Sequence, residues 1–333
     1  MLNQFDSLPE SLLDARTEDL HDILGHPTLL HLPGEHPQPL FICTLLHGNE
    51  TTGFYALQRI LQQHYRRGLP RALSVFIGNV EAAAQGQRRL EHQPDYNRIW
   101  PGTAHSQCPE TDIMATVTGI MRERKPFASI DIHNNTGRNP HYACVNILSS
   151  HSLQLAAMFA DITVYFTSPK GVQSAAFSDF CPAVVLECGR SEERNSVEHA
   201  TQFLESVLQL DSLPADKPEK LCLYHTVARV TVPGQCSIST QPGSDLVLDT
   251  ALEQQNFSEL PAGYVFARSG SSGLGCLRVH NESNEDVTDE FLDCRNGSLV
   301  LKKNITLSMY TSDERAIRQD CLCYFMERLH FHP

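Results

Sequence analysis

Residues 39–57 read PLFICTLLHGNETTGFYAL, and this stretch contains the change of pattern that decides the fold. It begins as an apolar run of the kind that forms a buried strand, and after Glu50 its apolar residues recur at helical spacing. Between the two lies His47-Gly48-Asn49-Glu50. Catalytic groups of open α/β sheets gather at the carboxyl ends of strands. The stretch therefore predicts an α/β sheet and the edge at which its chemistry takes place.

The alternation of strands and helices continues to about residue 210. Apolar β-rich runs predict strands at 40–46, 73–78, 128–132, 143–148, 162–166 and 183–187. Helical patterns lie between them at 52–65, 110–124, 152–160 and 193–210. This order is typical of a mixed sheet flanked by helices on both faces.

Changes of composition divide the chain into three parts. Residues 1–38 form a lead-in, with one helix predicted over 9–24 and a connection rich in Pro, Gly and His. Residues 39–215 form the α/β domain, which ends in the polar stretch DSLPADKPEK at 211–220. Residues 216–333 carry short strands separated by Gly, Ser, Asn and Pro, and predict a smaller C-terminal β-rich domain.

Charge and hydropathy exclude several classes of protein. A net charge of -13 over 333 residues argues against a nucleic-acid partner. The first residues, MLNQFDSLPE, do not resemble a signal peptide, and no apolar run has the length of a membrane span. We therefore expect a cytoplasmic protein without membrane contact. Its oligomeric state stays open.

Three side chains have the types and positions that a catalytic metal requires. His47 and Glu50 can converge on one ion where the strand becomes a helix, and His133 ends the strand in SIDIHNNTG. A catalytic zinc takes three nitrogen or oxygen ligands and keeps one position open. The pair of His47 and Glu50 alone could equally be a surface histidine beside a capping carboxylate. These ligand types do not exclude Mn, Fe or Co.

Glu187 ends a third apolar strand, in AVVLECGR. A buried and unpaired carboxylate is costly, so this side chain needs a partner or a function. It either pairs with an arginine for structural reasons or faces a metal-bound water as a general base.

Together these segments resemble the succinylglutamate desuccinylase/aspartoacylase family over residues 39–190. The matching motifs are His47-Gly48-Asn49-Glu50-Thr51, Asn97-Arg98 in DYNRIW, Asp131-x-His133-Asn134 and Glu187-x-Gly189. The resemblance implies a fold like that of zinc carboxypeptidases and hydrolysis of the amide bond of a small, anionic N-acyl amino acid. It also implies one Zn²⁺ per chain, held by His47, Glu50 and His133.

The resemblance implies further roles for polar side chains. Glu187 is the general base, and Arg89, with Arg88 adjacent, matches the arginine that polarises the scissile carbonyl. Asn97 and Arg98 match the pair that grips a substrate carboxylate. The substrate-binding set expected here also includes Asn134, Arg138 and Arg190, and the last two are extra cations that can read a group of the substrate.

Two departures leave the named substrates of the family open. Tyr96 stands where members with known substrates carry Leu, and Cys188-Gly189-Arg190 is an unusual continuation after Glu187. One alternative is a zinc carboxypeptidase that acts on peptides, unless the C-terminal domain roofs the cleft against long chains. The other is a non-catalytic metal-binding protein.

Overall fold

The computed structural model describes residues 1–270 and 273–329. Its strands in chain order are β1 (Asn3–Phe5), β2 (Thr28–Leu32), β3 (Gly34–Thr44), β4 (Leu69–Ile77), β5 (Ala128–His133), β6 (Tyr142–Val145), β7 (Ile162–Tyr165), β8 (Ala183–Glu187), β9 (Cys222–Thr231), β10 (Ile238–Ser239), β11 (Leu246–Leu248), β12 (Glu259–Leu260), β13 (Val265–Ser269), β14 (Arg278–Asn281), β15 (Leu292–Arg295), β16 (Ser298–Leu301), β17 (Ile305–Ser308) and β18 (Cys323–Leu329).

The helices lie mostly in the first two thirds of the chain. They are α1 (Leu20–Leu24), α2 (Thr52–His64), α3 (Val80–Ala83), α4 (Pro109–Arg124), α5 (Ser150–Phe159), α6 (Gln173–Ser178), α7 (Arg194–Leu208), α8 (Thr288–Phe291) and α9 (Glu314–Gln319). Short 3-10 helices are Glu10–Leu13, Thr17–Asp19, Thr250–Gln255 and Gly273–Cys276. Among the described residues, no helix combines the length and the apolarity that crossing a bilayer requires.

The main sheet is mixed, as the sequence predicts, and runs β1-β2-β4-β3-β5-β8-β6-β7-β9-β18-β17-β12, with β14 paired to β9. Strand β3 lies parallel to β4 on one side and to β5 on the other. Strand β8 lies parallel to β5. The chain order reverses at β3, and such a reversal opens a crevice at the carboxyl ends of the strands.

Both faces of the central strands are covered, because alternate residues of a strand point to opposite faces. In β3, Leu40 and Ile42 pack in a cluster with apolar residues of α2 and α7, whereas Phe41 and Cys43 pack in another cluster with residues of α4 and α6. The continuous apolar run of β3 follows from this double coverage.

The C-terminal part is β-rich and has a core of its own, which includes Phe266, Tyr310 and Phe325. Strands β10-β11-β13-β16-β15 form a second sheet. Strands β9, β12, β14, β17 and β18 instead extend the main sheet. The sheet therefore runs across the expected boundary at residue 215, and the division into domains stays a prediction.

The single helix predicted over residues 9–24 is wrong. The segment forms two 3-10 helices and then α1, with Arg16 in an extended conformation between the first two. The side-chain amide of Gln58 in α2 donates hydrogen bonds to the carbonyls of Leu12 and Ala15 at this break. The side-chain amide of Gln58 thus satisfies carbonyls that backbone N–H groups would satisfy in a continuous helix. Strand β2 lies in the segment that we expected to be a connection.

Candidate metal centre and active site

Three buried side chains converge where β3 and β5 end. His47 follows β3, Glu50 precedes α2, and His133 is the last residue of β5. Glu50 Oε1 lies 2.8 Å from Nδ1 of His47, and Glu50 Oε2 lies 2.7 Å from Nδ1 of His133. One ligand atom of each residue lies within 4.8 Å of the others. The sequence-predicted ligand set is therefore brought together in the fold.

The loop that carries His47 contains one residue with a positive φ and one glycine at a close backbone approach. Leu45 has a φ of 55°, which is rare for a branched residue and typical of functional sites. At Gly48, a Cβ atom would lie 2.2 Å from the amide nitrogen of Ala83, so only glycine fits. The Gly48 amide also donates a 3.1 Å hydrogen bond to the carbonyl of Arg88. This packing holds Arg88 next to the three-residue cluster.

The outer nitrogen of each imidazole faces a carboxylate. Nε2 of His47 lies 3.0 Å from Oδ1 of Asp95, and Nε2 of His133 lies 2.9 Å from Oδ2 of Asp131. The amide nitrogen of Asn97 lies 3.2 Å from the same Nε2 of His133. A carboxylate that accepts a hydrogen bond from the outer nitrogen, as Asp95 can from His47, orients a metal-binding imidazole and raises its basicity. Asp95 was not foreseen, although it stands two residues before Asn97 in the quoted motif DYNRIW.

The electrostatics of the cluster couple a carboxylate to two imidazoles. Burial by itself would raise the pKa of Glu50, but His47 and His133 outweigh it and hold that pKa below its ordinary range. Burial would lower the pKa of His133, yet Asp131 and Glu50 raise it well above its usual value. The two inward Nδ1 atoms and the carboxylate match the donor set of a catalytic zinc, so these residues fit Zn²⁺.

Glu187 lies beside the cluster on the next strand. It is the last residue of β8 and the register partner of His133 on β5, so the two side chains share one face of the sheet. In the described part of the chain, its hydrogen-bond partner is the neutral amide of Asn135, 3.0 Å from Oε2. Burial raises the pKa of Glu187 to about 7. A carboxyl of this kind can exchange a proton near neutral pH.

The two adjacent arginines of the sequence point in different directions. Arg88 donates to Oδ2 of Asp95 from Nε and Nη2, at 3.3 and 2.9 Å, and to Oε1 of Glu50 from Nη1 at 3.3 Å. Arg89 donates to the backbone carbonyl of Gln93 at 2.9 Å. The structure therefore places Arg88 against the three-residue cluster, whereas the sequence had favoured Arg89 for that position.

Asn97 and Arg98 both border the cavity, but their polar groups already have partners. Oδ1 of Asn97 accepts a 3.0 Å hydrogen bond from the backbone amide of Gln173. Nη2 of Arg98 donates to both carboxylate oxygens of Asp320, at 2.9 and 3.1 Å. Asp320 lies in the C-terminal part, and its pairing with Arg98 was not foreseen.

Asn134 also borders the cavity and takes part in holding it together. Its backbone amide lies 3.2 Å from Oε2 of Glu50, and its side-chain amide donates to Thr52 Oγ1 and the Gly189 carbonyl, both at 2.9 Å. These contacts tie the end of β5 to the start of α2.

Arg138 and Arg190 do not line the cavity. The side chain of Arg138 is exposed. Arg190 donates to the carbonyl of Thr136 and to Oε2 of Glu253, both at 3.1 Å. Arg190 thus connects the α/β part to the C-terminal part, a contact that the sequence alone could not reveal.

A cavity lies over the cluster and holds about 700 Å³ of empty space, which includes the open solvent at its mouth. Its lining includes the polar groups described above. A mainly apolar set of lining residues is formed by Tyr142, Cys144, Val164, Phe166, Val172 and Val185. The C-terminal part contributes Thr226, Ser308, Met309, Asp320 and Tyr324 to the lining.

Three solved structures illustrate the likeness of this fold to known proteins. Succinylglutamate desuccinylase from Chromobacterium violaceum is 18% identical with a TM-score of 0.59, over 90% of this chain and 87% of that one. Murine aminoacylase 3 is 16% identical with a TM-score of 0.61, over 89% and 96%. The product-bound ectoine utilization protein EutE (DoeB) from Ruegeria pomeroyi is 13% identical with a TM-score of 0.59, over 91% and 88%.

At these identities the structural likeness shows the fold alone. No curated protein sequence matches the chain. Residues 37–212, however, match the succinylglutamate desuccinylase/aspartoacylase catalytic domain. This match covers more than half of the chain and includes the three-residue cluster and Glu187. The chain therefore belongs to the succinylglutamate desuccinylase/aspartoacylase family.

Proposed function

We propose that this protein is a zinc-dependent deacylase that hydrolyses the amide bond of a small N-acyl amino acid. The observation that carries the proposal is the convergence of His47, Glu50 and His133 within 4.8 Å, with Glu187 on the same face of the neighbouring strand. The three residues would hold one Zn²⁺, and Glu187 is the general base.

When bound, zinc supplies an acidified water and a polarised carbonyl. Glu187 takes a proton from the attacking water as the water oxygen bonds to the acyl carbon. It then delivers this proton to the amine nitrogen as the C–N bond breaks, which releases an acid and an amine. The amide of Asn135 holds the carboxylate of Glu187 in place at 3.0 Å.

Arg88 is the cation for the charge that develops on the carbonyl oxygen, because it contacts Glu50 at 3.3 Å whereas Arg89 contacts Gln93. Asp95 fixes both the guanidinium of Arg88 and the imidazole of His47. A donor that is held in advance needs no reorganisation in the transition state.

The lining of the cavity supports a small acylated substrate over a peptide. The C-terminal residues Met309, Asp320 and Tyr324 line the cavity together with the cluster at the strand ends. Their side chains occupy room that a long chain would need. Relatives in fold whose names include desuccinylase and aminoacylase support the same choice. The buried Glu187, whose burial is costly without a function, speaks against a protein that only binds metal.

The test is a hydrolysis screen with the zinc-loaded protein over N-acyl amino acids, N-acylated amines and short peptides. We expect acid and amine to be released from at least one small acylated compound, and the activity to disappear with a chelator and return with zinc. Cleavage of peptides alone would assign the protein to the carboxypeptidases. Bound zinc without cleavage of any substrate would favour the non-catalytic alternative.

A further inference from the structure

The ion pair between Arg98 and Asp320 lies inside the cavity, at the position where the family resemblance expects a substrate carboxylate. Both side chains are largely buried, with 22% and 15% of their surfaces exposed. The carboxylate of Asp320 accepts two hydrogen bonds from one nitrogen of the guanidinium, at 2.9 and 3.1 Å. A second guanidinium, that of Arg88, lies 3.8 Å from Asp320.

We propose that Asp320 is a specificity-determining residue, which neutralises Arg98 and directs the site to N-acyl compounds with a neutral or cationic group, not a carboxylate, at that position. Carboxamides and amines are the chemical classes that fit. This inference rests on the proposed deacylase function and narrows its substrate. The anionic substrate expected from the sequence requires an Arg98 side chain without a carboxylate partner. In this structure the chain itself supplies such a partner, Asp320.

The charges around the cavity support this choice. Among the described residues that line it, the arginines are Arg88 and Arg98, and each is paired with a carboxylate. Glu50 and Glu187 add further carboxyl groups to the lining of the cavity. A substrate carboxylate would have to displace Asp320 from Arg98 and leave that buried carboxylate without its bonds, which is costly. A neutral or cationic group meets no such cost.

The apolar part of the cavity lining supports the same class of substrate. Val164, Phe166, Val172 and Val185 give the cavity an apolar surface. Burying an ionised carboxylate against such a surface without a partner is unfavourable. Binding of an apolar acyl group or side chain to this surface is favoured in proportion to the apolar area that it buries. The substrate that fits therefore combines an apolar portion with an uncharged or cationic polar end.

The experiment compares the binding of N-acetyl-L-leucine with that of N-acetyl-L-leucinamide by calorimetry. The two ligands differ only at the carboxyl end, which is an anionic carboxylate in the first and a neutral carboxamide in the second. The zinc-loaded Glu187→Gln variant is used so that neither ligand is turned over. We expect the amide to bind at least as tightly as the acid. A second variant carries Asp320→Asn in addition to Glu187→Gln, so that Arg98 loses its carboxylate partner. We expect the acid to bind this variant about tenfold more tightly, while the affinity for the amide changes little.

Two variants serve as controls. Asp289→Asn makes the same exchange at an exposed position of the C-terminal part and should leave both affinities unchanged. Arg98→Gln combined with Asp320→Asn removes the cation, so the gain for the acid should disappear.

Three results would overturn the inference: tighter binding of the acid with Asp320 intact, an unchanged preference after Asp320→Asn, or no binding of either ligand to any variant. If the Asp320→Asn variant does not fold, the ratio of the affinities for acid and amide, measured with Asp320 intact, tests the inference. Because binding is read without turnover, this outcome is separate from a failure of the hydrolysis screen.

Discussion

The lining of the cavity has two regions that are built in different ways. The metal-facing wall consists of strand ends, and Glu50 contacts both of its imidazoles, while Asp95 contacts His47 from the outer side. The other wall is mainly apolar, with residues of the α/β part such as Val164 and Val185, and it includes the ion pair of Arg98 with the C-terminal Asp320, which joins residues 222 positions apart. Under the proposed function, the first wall carries out the reaction and the second selects the substrate. Changes on the first wall should then alter rate or metal binding, and changes on the second should alter preference.

The largest effect on rate is expected at Glu187. Glu187→Gln keeps the shape of the side chain but removes its ability to accept a proton, so turnover should fall by about 10²–10⁴ while zinc stays bound. Steady-state kinetics together with metal analysis would measure both. Glu192→Gln, at an exposed position nearby, is the matched control. Normal turnover in Glu187→Gln would rule out this residue as the base.

The adjacent arginines offer a comparison within the metal-facing wall. Arg88→Ala should lower the turnover number by about 10²–10³, because it removes a charged donor beside the reacting carbonyl. The turnover number of Arg89→Ala should stay close to that of the unsubstituted protein, since Arg89 contacts the backbone of Gln93. Thermal unfolding of both variants would separate loss of function from loss of fold. A larger loss in Arg89→Ala would reverse the assignment.

A smaller effect is expected at Asp95, which acts through His47. Asp95→Asn weakens the contact that orients this imidazole, and zinc affinity should fall by about 10–100-fold. Competition with a chromophoric chelator measures the affinity, and Asp216→Asn at an exposed site is the control. Unchanged affinity would mean that His47 is oriented by its other contacts alone.

The metal-facing wall could be predicted from the sequence because local pattern and topology agree there. Apolar runs that stop at His47, His133 and Glu187 are strands whose carboxyl ends meet at one edge of a sheet. The predicted strand over residues 183–187 agrees with β8 at both ends.

The other wall could not be predicted, because its contacts join distant segments. No local signal pairs Arg98 with Asp320, or sends Arg190 to Glu253. The choice between Arg88 and Arg89 depends on the path of a loop, which hydrogen bonds to Gly48 and Asp95 determine. The prediction of one helix over residues 9–24 was wrong for a similar reason. Side chains of α2, which is distant in sequence, donate hydrogen bonds to carbonyls of this segment.

The central claim is that His47, Glu50 and His133 hold a catalytic zinc, and metal analysis of the purified protein tests it most directly. Elemental mass spectrometry should find about one zinc per chain, as a three-ligand catalytic site requires. His133→Ala should lose this zinc, and the exposed control His151→Ala should keep it. A parent protein that takes up no metal even when incubated with zinc, or a His133→Ala variant that keeps its full content, would contradict the account.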